Sequence, residues 1–273
     1  MFTNAPDGQK VWYRVAGEGS PILLLNGWGG SSDSWSPEMV GLLAAAHRVV
    51  TVDNRGTGRS GKPDEPYTME AMAGDAVAAL DAAGVGRAHV LGFSMGGILA
   101  QAVAVYHPAR VKSLILCATS TGGRSRVPRD PSVAAELVKI GDPPPGMTER
   151  DVTVALLRLL YPRGYVEENL KALVAEETYT DHPTPAYALR RQSEAIAGFD
   201  AYDELPSLDV PALVMAGGED QLTPPENSRI LAARLRDAEL VVLPGPGHGF
   251  LKQDTRLAVR HILAFTSRVD GGD

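Results

Sequence analysis

Three separated segments of the sequence carry side chains that together could break a carbonyl bond. The first, residues 92–96, has the sequence Gly-Phe-Ser-Met-Gly and lies between an apolar stretch at 88–91 and an alanine-rich stretch at 97–105. A strand that turns sharply into a helix here would raise Ser94 out of the fold, with glycines where strand and helix come close. The same pattern also occurs in loops whose serine is merely solvated. The strand before it and the helix after it favour a nucleophile at Ser94.

A serine hydroxyl attacks efficiently only when a base removes its proton. Five of the six histidines occupy positions that are typical of solvated or structural imidazoles, namely His47, His89, His107, His182 and His261. His248 instead lies in residues 244–250, between the last apolar strand and the last helical pattern. Loops that leave the carboxyl ends of parallel strands gather at one edge of a sheet, where Ser94 would also lie. We therefore predict that His248 is the base.

The base in turn needs a carboxylate that fixes its tautomer and stabilises the imidazolium. Asp220 lies in residues 217–224, directly after the penultimate predicted strand. Aspartates before prolines also serve as turn or cap residues, and the neighbouring Glu219 is an alternative that the sequence leaves open. We predict Asp220 as the acid because its segment leaves the same edge of the sheet as the other two.

Negative charge that develops on the attacked carbonyl oxygen needs two N–H donors, and loss of one costs about 100- to 1000-fold in rate. We predict the backbone N–H of Met95 as one donor and that of Trp28 as the other. Trp28 lies in residues 26–32, Asn-Gly-Trp-Gly-Gly-Ser-Ser, where the glycines would let the backbone approach a pocket; a merely flexible turn is the alternative. Residues that flank these loops are predicted to border the substrate pocket: Asn26, Trp28, Leu222 and Phe250.

Alternating strand and helix patterns would position these loops. Strands that are apolar on both faces are typical of a parallel sheet covered by helices on both sides, and they are predicted near residues 21–25, 48–52, 88–91, 111–118, 212–216 and 238–243. Helices are predicted near residues 37–45, 68–83, 95–107, 225–235 and 251–269. Residues 9–15 alternate polar and apolar side chains and are predicted to form a hairpin with 21–25. The fold class is therefore α/β, with a mostly parallel, doubly wound sheet.

The alternation stops at Thr121. From there to about residue 206 no buried strand is predicted, and helical patterns occur near 148–160, 165–178 and 184–197. We predict a helical cap at 121–206, inserted into a core of residues 1–120 and 207–273. Cap residues that could form a pocket wall, although such spacing is more often plain core, are Leu156, Leu159, Tyr161 and Tyr187.

Composition excludes several classes of protein. The chain has 273 residues, a net charge of −7 and 44% hydrophobic residues. This charge argues against nucleic acid or an anionic membrane as partner, so a small-molecule substrate is expected. One cysteine permits no internal disulfide, and the start lacks a signal-peptide pattern, so a cytoplasmic location is expected. No histidine pair has ligand spacing, and we expect neither a metal nor an organic cofactor. A monomer and a homo-oligomer both stay open.

The chain resembles the α/β-hydrolase superfamily over nearly its whole length. The similarity rests on residues 92–96, 53–60, 217–224 and 245–249, and on the order Ser94, Asp220, His248. Within the superfamily it is similar to 3-oxoadipate enol-lactonases, haloperoxidase-like esterases and aclacinomycin methylesterase-type enzymes.

The resemblance implies roles for several more residues. It implies structural rather than catalytic roles for Asp53 and Arg55. Some related enzymes place the acid after the strand that precedes the cap, where this chain has only Thr119, Ser120 and Thr121. Asn26 stands where histidine is usual, which predicts an altered oxyanion loop or acyl-side fit.

These features predict a serine hydrolase that cleaves an ester, thioester or lactone through an acyl-enzyme. One alternative is a ligand-sensing module on the same fold with slow turnover. Another is perhydrolysis or carbon–carbon bond hydrolysis by the same three residues.

Overall fold

The computed structural model describes residues 1–177 and 181–272. Its eight strands are β1 (Phe2–Asn4), β2 (Lys10–Ala16), β3 (Ser20–Leu25), β4 (His47–Val52), β5 (Ala88–Phe93), β6 (Val111–Cys117), β7 (Ala212–Gly217) and β8 (Ala238–Leu243). They form one sheet in the order β1-β2-β4-β3-β5-β6-β7-β8. β1 and β2 pair antiparallel, as do β2 and β4, and the other pairs are parallel. The predicted mostly parallel α/β sheet is confirmed.

Helices connect the parallel strands. They are α1 (Pro37–Ala44), α2 (Met69–Ala82), α3 (Met95–Tyr106), α4 (Pro131–Gly141), α5 (Glu149–Leu160), α6 (Arg163–Glu177), α7 (Ala186–Ala197), α8 (Glu226–Arg234), α9 (Phe250–Gln253) and α10 (Thr255–Gly271). The single helix predicted at 251–269 is wrong, because Asp254 leaves helical geometry at φ −137° and ψ 61°. Its side chain instead caps α10 by accepting a hydrogen bond from the backbone N–H of Leu257. Within the described residues, no helix combines the length and apolarity needed to cross a membrane.

The predicted hairpin between residues 9–15 and 21–25 is also wrong. β4 lies between β2 and β3, so Tyr13 pairs with Val52 and Leu23 pairs with Val50. The connection contains Gly17, where a Cβ atom would overlap the backbone oxygens of the chain entering β4. This close packing carries the chain past β4 instead of folding it back on β2. The short β1 pairs with β2, with Phe2 opposite Trp12, and was not predicted.

The core lies on both faces of the sheet because the central strands are apolar on both sides. Leu23 and Leu25 face a cluster that includes side chains of α2 and α3, such as Met72 and Leu99. The alternate residues of β3 face a second cluster, which α1 and α10 complete. This two-sided burial fixes the register of the strands that deliver the site.

The segment between β6 and β7 holds the four helices α4 to α7. Apart from an isolated bridge between Gly122 and Asp200, its described residues add nothing to the sheet. We propose that this segment, residues 121–206, is a cap on a core of 1–120 and 207–273. α5 to α7 match the predicted patterns, although residue 178 of the pattern at 165–178 lies outside the described residues. α4 was not predicted.

Candidate active site

Ser94 lies between β5 and α3 in a conformation that few non-glycine residues adopt. Its φ is 56° and its ψ is −120°. Such backbone strain costs about 1–3 kcal/mol and persists only where the surrounding structure enforces it. A Cβ atom at Gly92 would overlap the backbone of Gly96, and one at Gly96 would overlap the backbone of Leu25. Both glycines are therefore required for the sharp strand-to-helix turn.

The end of β6 holds this turn in place. The backbone N–H of Ser94 donates to the carbonyl of Cys117 at 2.8 Å. Thr119 Oγ1 donates to the carbonyl of Ser94 at 2.7 Å. Ala118, between them, also has a positive φ of 49°. Sequence patterns did not identify Thr119 as a positioning residue, because nothing local shows that its hydroxyl reaches a neighbouring strand end.

His248 and Asp220 form a buried pair. His248 Nδ1 lies 2.8 Å from Asp220 Oδ2, and their side chains are 3% and 0% exposed. The other carboxylate oxygen of Asp220 accepts hydrogen bonds from the backbone N–H groups of Leu222, at 2.9 Å, and Thr223, at 2.8 Å. An ionised carboxylate only accepts, so Nδ1 carries the proton and Nε2 is the basic nitrogen. The exposed Glu219 is not the carboxylate that binds His248.

One contact links this pair with the strand end that carries Ser94. The ring of Phe93, the residue before Ser94, lies with its centroid 5.1 Å from that of His248. The acid and histidine loops are bound together, since the backbone N–H of Glu219 donates to the carbonyl of Pro246 at 2.9 Å. The three predicted loops therefore meet at the carboxyl edge of the sheet.

Asn26 closes the loop after β3. Its side-chain oxygen accepts from the N–H of Gly27 at 2.7 Å, and its Nδ2 donates to the carbonyl of Ser31 at 2.8 Å. The side chain of Asn54 in turn donates to the carbonyl of Asn26 at 2.9 Å. Asn26 is 5% exposed, so its amide supports the loop and does not offer groups to a ligand.

The closed loop lies against the nucleophile. A Cβ atom at Gly27 would approach Ser94 Cβ to 3.2 Å, which places Trp28 beside the serine. Met95 is the first residue of α3, and first-turn N–H groups have no acceptor within their helix. Among the described residues, the backbone N–H groups of Trp28 and Met95 make no hydrogen bond. Both predicted donors are therefore available to a ligand.

The predicted pocket residues divide into two groups. Trp28 and Leu222 belong to an apolar cluster with Val133, Ile140 and Leu159 of the proposed cap, and Leu156 packs against it. Phe250 instead is 0% exposed and packs in the core cluster on the α1 and α10 side of the sheet. The prediction that Phe250 borders the pocket is therefore wrong. Position beside the loop of His248 did not show which way the side chain points.

The two predicted cap tyrosines make docking contacts. Tyr161 is 2% exposed and packs closely over Gly249, beside His248. Tyr187 donates its hydroxyl hydrogen to the carbonyl of Lys62 at 2.7 Å. Both contacts join the proposed cap to core loops.

Sequence patterns did not identify Gln192, a fully buried residue of α7. Its side-chain oxygen accepts from the N–H of Gly29 at 2.9 Å. Its side-chain nitrogen donates to the carbonyl of Arg55 at 3.0 Å. The indole N–H of Trp28 donates to the carbonyl of Leu189 in the same helix at 2.8 Å. A polar residue on the face of α7 that also carries Ala188 and Ala195 could have indicated such a role.

Asp53 and Arg55 make the structural contacts that the resemblance implies. The carboxylate of Asp53 accepts from the N–H groups of Ser32 and Arg59, each at 2.7 Å. Arg55 forms a two-point ion pair with Asp75, at 2.9 and 2.7 Å. Burial alone would lower the pKa of Arg55, but the carboxylates of Asp75 and a second aspartate, Asp7, raise it above its ordinary value.

One further histidine cluster lies at the opposite edge of the sheet. Ligand-type atoms of His47, His89 and Asp270 all lie within 4.8 Å of one another. The four ring nitrogens already have hydrogen-bond partners, which are Ser20, Thr266, Ser113 and Asp270. The ammonium of Lys112 also lies 2.8 Å from Asp270. These contacts are those of a satisfied polar cluster, not of an open metal site.

Comparisons with known proteins point to one fold family. The family model described as alpha/beta hydrolase fold matches residues 20–255. A Caulobacter protein named "Putative carbamate hydrolase RutD" is 36% identical over 259 residues, which cover 92% of each chain. A non-heme haloperoxidase of Rhodococcus erythropolis is 29% identical and covers 97% of this chain and 98% of its own.

A solved structure shows the same architecture. The enol-lactonase from Burkholderia xenovorans superposes with a TM-score of 0.82 at 28% identity, over 98% of this chain and 100% of that chain. The family match spans most of the sequence, and hydrolase names recur among relatives that align over nearly their full length. The chain therefore belongs to the α/β-hydrolase family and is a hydrolase.

Proposed function

We propose that the protein is a serine hydrolase that cleaves an ester, thioester or lactone of a small to medium-sized organic molecule. The observation that carries this proposal is the buried hydrogen bond between Asp220 and His248 beside the strained Ser94. In the proposed reaction Ser94 Oγ attacks the carbonyl carbon while His248 Nε2 takes the hydroxyl proton. The N–H groups of Trp28 and Met95 stabilise the oxyanion.

The same groups complete the cycle. Protonated His248 gives its proton to the leaving oxygen or sulfur, and the carbonyl carbon stays on Ser94 as an acyl-enzyme. A water molecule then attacks the acyl group, with His248 again as the base, and releases the acid. Asp220 accepts a hydrogen bond from Nδ1–H of His248, which keeps that proton throughout, and stabilises the imidazolium.

A carbamate is a second candidate substrate. Several relatives carry a carbamate hydrolase name, including one of Azorhizobium caulinodans that is 32% identical over 261 residues. A carbamate presents the same carbonyl to Ser94, and attack would form a carbamoyl-enzyme that water releases. Parallel assays of matched 4-nitrophenyl esters and carbamates distinguish the two substrates.

The experiment that tests the proposal is labelling with a fluorophosphonate, which reacts with activated serines. We expect a single adduct on Ser94 by peptide mapping, and no adduct in Ser94→Ala. The rate of ester hydrolysis should fall by about a thousandfold or more in that variant. Ser120→Ala, at a serine near the same strand end, should keep labelling and activity. Full hydrolysis by Ser94→Ala would disprove the proposal.

A further inference from the structure

Arg129 is a partly buried cation without a partner. It precedes Asp130, the N-cap residue of α4. Among the described residues, its guanidinium makes no hydrogen bond, ion pair or aromatic contact. The side chain is partly exposed, so its charge is only partly withdrawn from water, and pairing it with an anion would recover free energy. A negatively charged group of a ligand would supply this pairing.

Backbone anchors hold the segment of Arg129 beside the catalytic acid loop. The N–H groups of Arg124 and Ser125 both donate to Asp200, each at 2.9 Å. Val127 exchanges two hydrogen bonds with the side chain of Asn227, at 2.8 and 3.0 Å. Asn227 also donates to the carbonyl of Pro224, at the end of the acid loop, at 3.1 Å.

The other side of Arg129 leads directly into the pocket cluster. Val133, four residues further along, packs in the apolar cluster that contains Trp28 and Leu222. Arg129 therefore lies on a fixed segment between the acid loop and the apolar residues around Ser94.

Neighbouring charges do not satisfy this guanidinium. Burial lowers the pKa of Arg129 from its ordinary value, nearby Arg126 lowers it further, and Asp220 opposes them. Asp220 already accepts three hydrogen bonds from the histidine and acid loops, so it does not serve as the partner of Arg129. Two arginines close to the site stand out in a chain whose net charge is −7.

We propose that Arg129 binds a carboxylate of the substrate, so that the hydrolase acts on esters or lactones that carry a carboxylate besides the carbonyl under attack. The inference rests on the proposed function and specifies its substrate class. A guanidinium fits a carboxylate through two parallel N–H···O bonds, and such charge-assisted bonds are stronger than neutral ones. Arg126 adds positive potential at the same place.

Kinetics with paired substrates test the inference. We compare 4-nitrophenyl acetate, which is neutral, with mono-4-nitrophenyl glutarate, which carries a free carboxylate. Arg129→Gln should lower kcat/KM for the glutarate ester roughly 10- to 100-fold, mainly through KM, and leave the acetate within about twofold. Arg129→Lys, which keeps the charge without the two-point fork, should give an intermediate loss.

The matched control is Arg124→Gln, which removes the same charge from an exposed side chain of the same loop. It should leave the ratio of the two kcat/KM values unchanged. An unchanged ratio in Arg129→Gln, or an equal loss with both esters, overturns the inference. If Arg129→Gln does not fold, Arg129→Lys decides by the same ratio.

Binding separates this inference from the proposed function. Titration calorimetry with glutarate needs no catalysis and uses wild type, Arg129→Gln and Arg124→Gln. Wild type could hydrolyse neither ester and yet bind glutarate at least about tenfold more tightly than Arg129→Gln does. That result would support the carboxylate-binding site and contradict the proposed serine hydrolase activity. Equal glutarate affinity in wild type and Arg129→Gln overturns the carboxylate site.

Discussion

The carboxylate of Asp220 decides which nitrogen of His248 can serve Ser94. It accepts a hydrogen bond from the N–H group at Nδ1 at 2.8 Å, and two backbone N–H groups donate to its other oxygen. Because the carboxylate is held at three points, the imidazole is fixed both in tautomer and in ring orientation. The base is therefore prepared before any substrate binds.

Replacing Asp220 by asparagine should preserve the shape of the site and remove its base. The asparagine amide donates a hydrogen bond to Nδ1, which moves the ring proton to Nε2 and removes the base. We expect kcat for an activated ester to fall by about 10,000-fold, with little change in melting temperature. The control, Glu219→Gln, removes an exposed carboxylate one residue away and should change kcat by less than about twofold. Comparable losses in the two variants would contradict the assignment of the acid.

Single residues were predictable where chain position alone dictated their placement. Ser94 and His248 each follow a buried strand, so topology brings them to one edge whatever the packing details. Choosing Asp220 over Glu219 was harder, because adjacent carboxylates differ only in direction. Phe250 was placed wrongly for the same reason: its backbone follows the loop of His248, while its side chain points into the core.

Among the elements, α7 contacts the loops of the site most directly. It accepts a hydrogen bond from the indole N–H of Trp28 and, through Gln192, bonds to the backbone of the loop after β3 and of the loop after β4. A helix of the proposed cap thus fixes the loop whose N–H is proposed to stabilise the oxyanion. Its contribution to catalysis is one of position, since Gln192 does not touch the reacting atoms in the proposed reaction.

Gln192→Ala tests this positioning role. The change leaves the N–H of Gly29 and the carbonyl of Arg55 buried without partners, which should cost about 1–3 kcal/mol of stability. Because Gly29 adjoins Trp28, we also expect kcat to fall several-fold, while fluorophosphonate still labels Ser94. Gln192→Glu keeps the acceptor for Gly29 and should recover part of kcat. Arg190→Gln, at an exposed residue of the same helix, is the control and should change neither quantity. A loss of stability with unaltered kcat would restrict Gln192 to a structural role.

The helices and strands were predictable from local sequence patterns, but the pairing of the strands was not. Most helices and strands lie within a few residues of their predicted bounds because capping residues such as Thr68 and Ser36 act locally. The insertion of β4 between β2 and β3 depends on contacts of Gly17 with a distant segment, which no local pattern contains. α4 was missed although Asp130 and Pro131 form a recognisable helix start, with Val133 and Ile140 on its buried face.

At the scale of the whole molecule, the two edges of the sheet carry different groups of polar side chains. The carboxyl edge carries the strained site, while the opposite edge carries the satisfied cluster of His47, His89 and Asp270. The contact between His89 and Asp270 joins β5 to α10 across 181 positions of sequence. β5 is the strand that leads into Ser94, so this cluster fixes the far end of the strand that positions the proposed nucleophile.

The cluster should make stability depend on pH. Burial lowers the pKa of His89, and its bond to Asp270 only partly opposes this. The unfolded chain therefore binds a proton more readily than the folded chain, and stability present above about pH 6.5 is lost as pH falls. Asp270 contributes at lower pH: burial alone would raise its pKa, but hydrogen bonds from Lys112, Ser20 and His89 hold it below the usual value.

Urea unfolding at pH 7.5 and 5.5 measures this effect. We expect wild type to lose up to about 1.4 kcal/mol more than His89→Gln does between these two values. The comparison uses the pH dependence of each protein, so a uniform destabilisation of the variant does not disturb it. His261→Gln replaces a partly exposed histidine of α10 and should keep the wild-type difference. Identical pH dependence in all three proteins would show that folding does not shift the pKa of His89, and would contradict the prediction.

The two hydrogen bonds of Gln192 also have a consequence for the timing of substrate entry and turnover. A displacement of α7 large enough to admit a ligand has to release Gly29 and Arg55 together, and with them the support of the loop beside Ser94. Entry and turnover would then alternate in time, each excluded while the other proceeds. In the proposed reaction the water that attacks the acyl group would then have to be inside the closed site, and release of the product, which also requires movement of α7, would limit the rate together with bond cleavage.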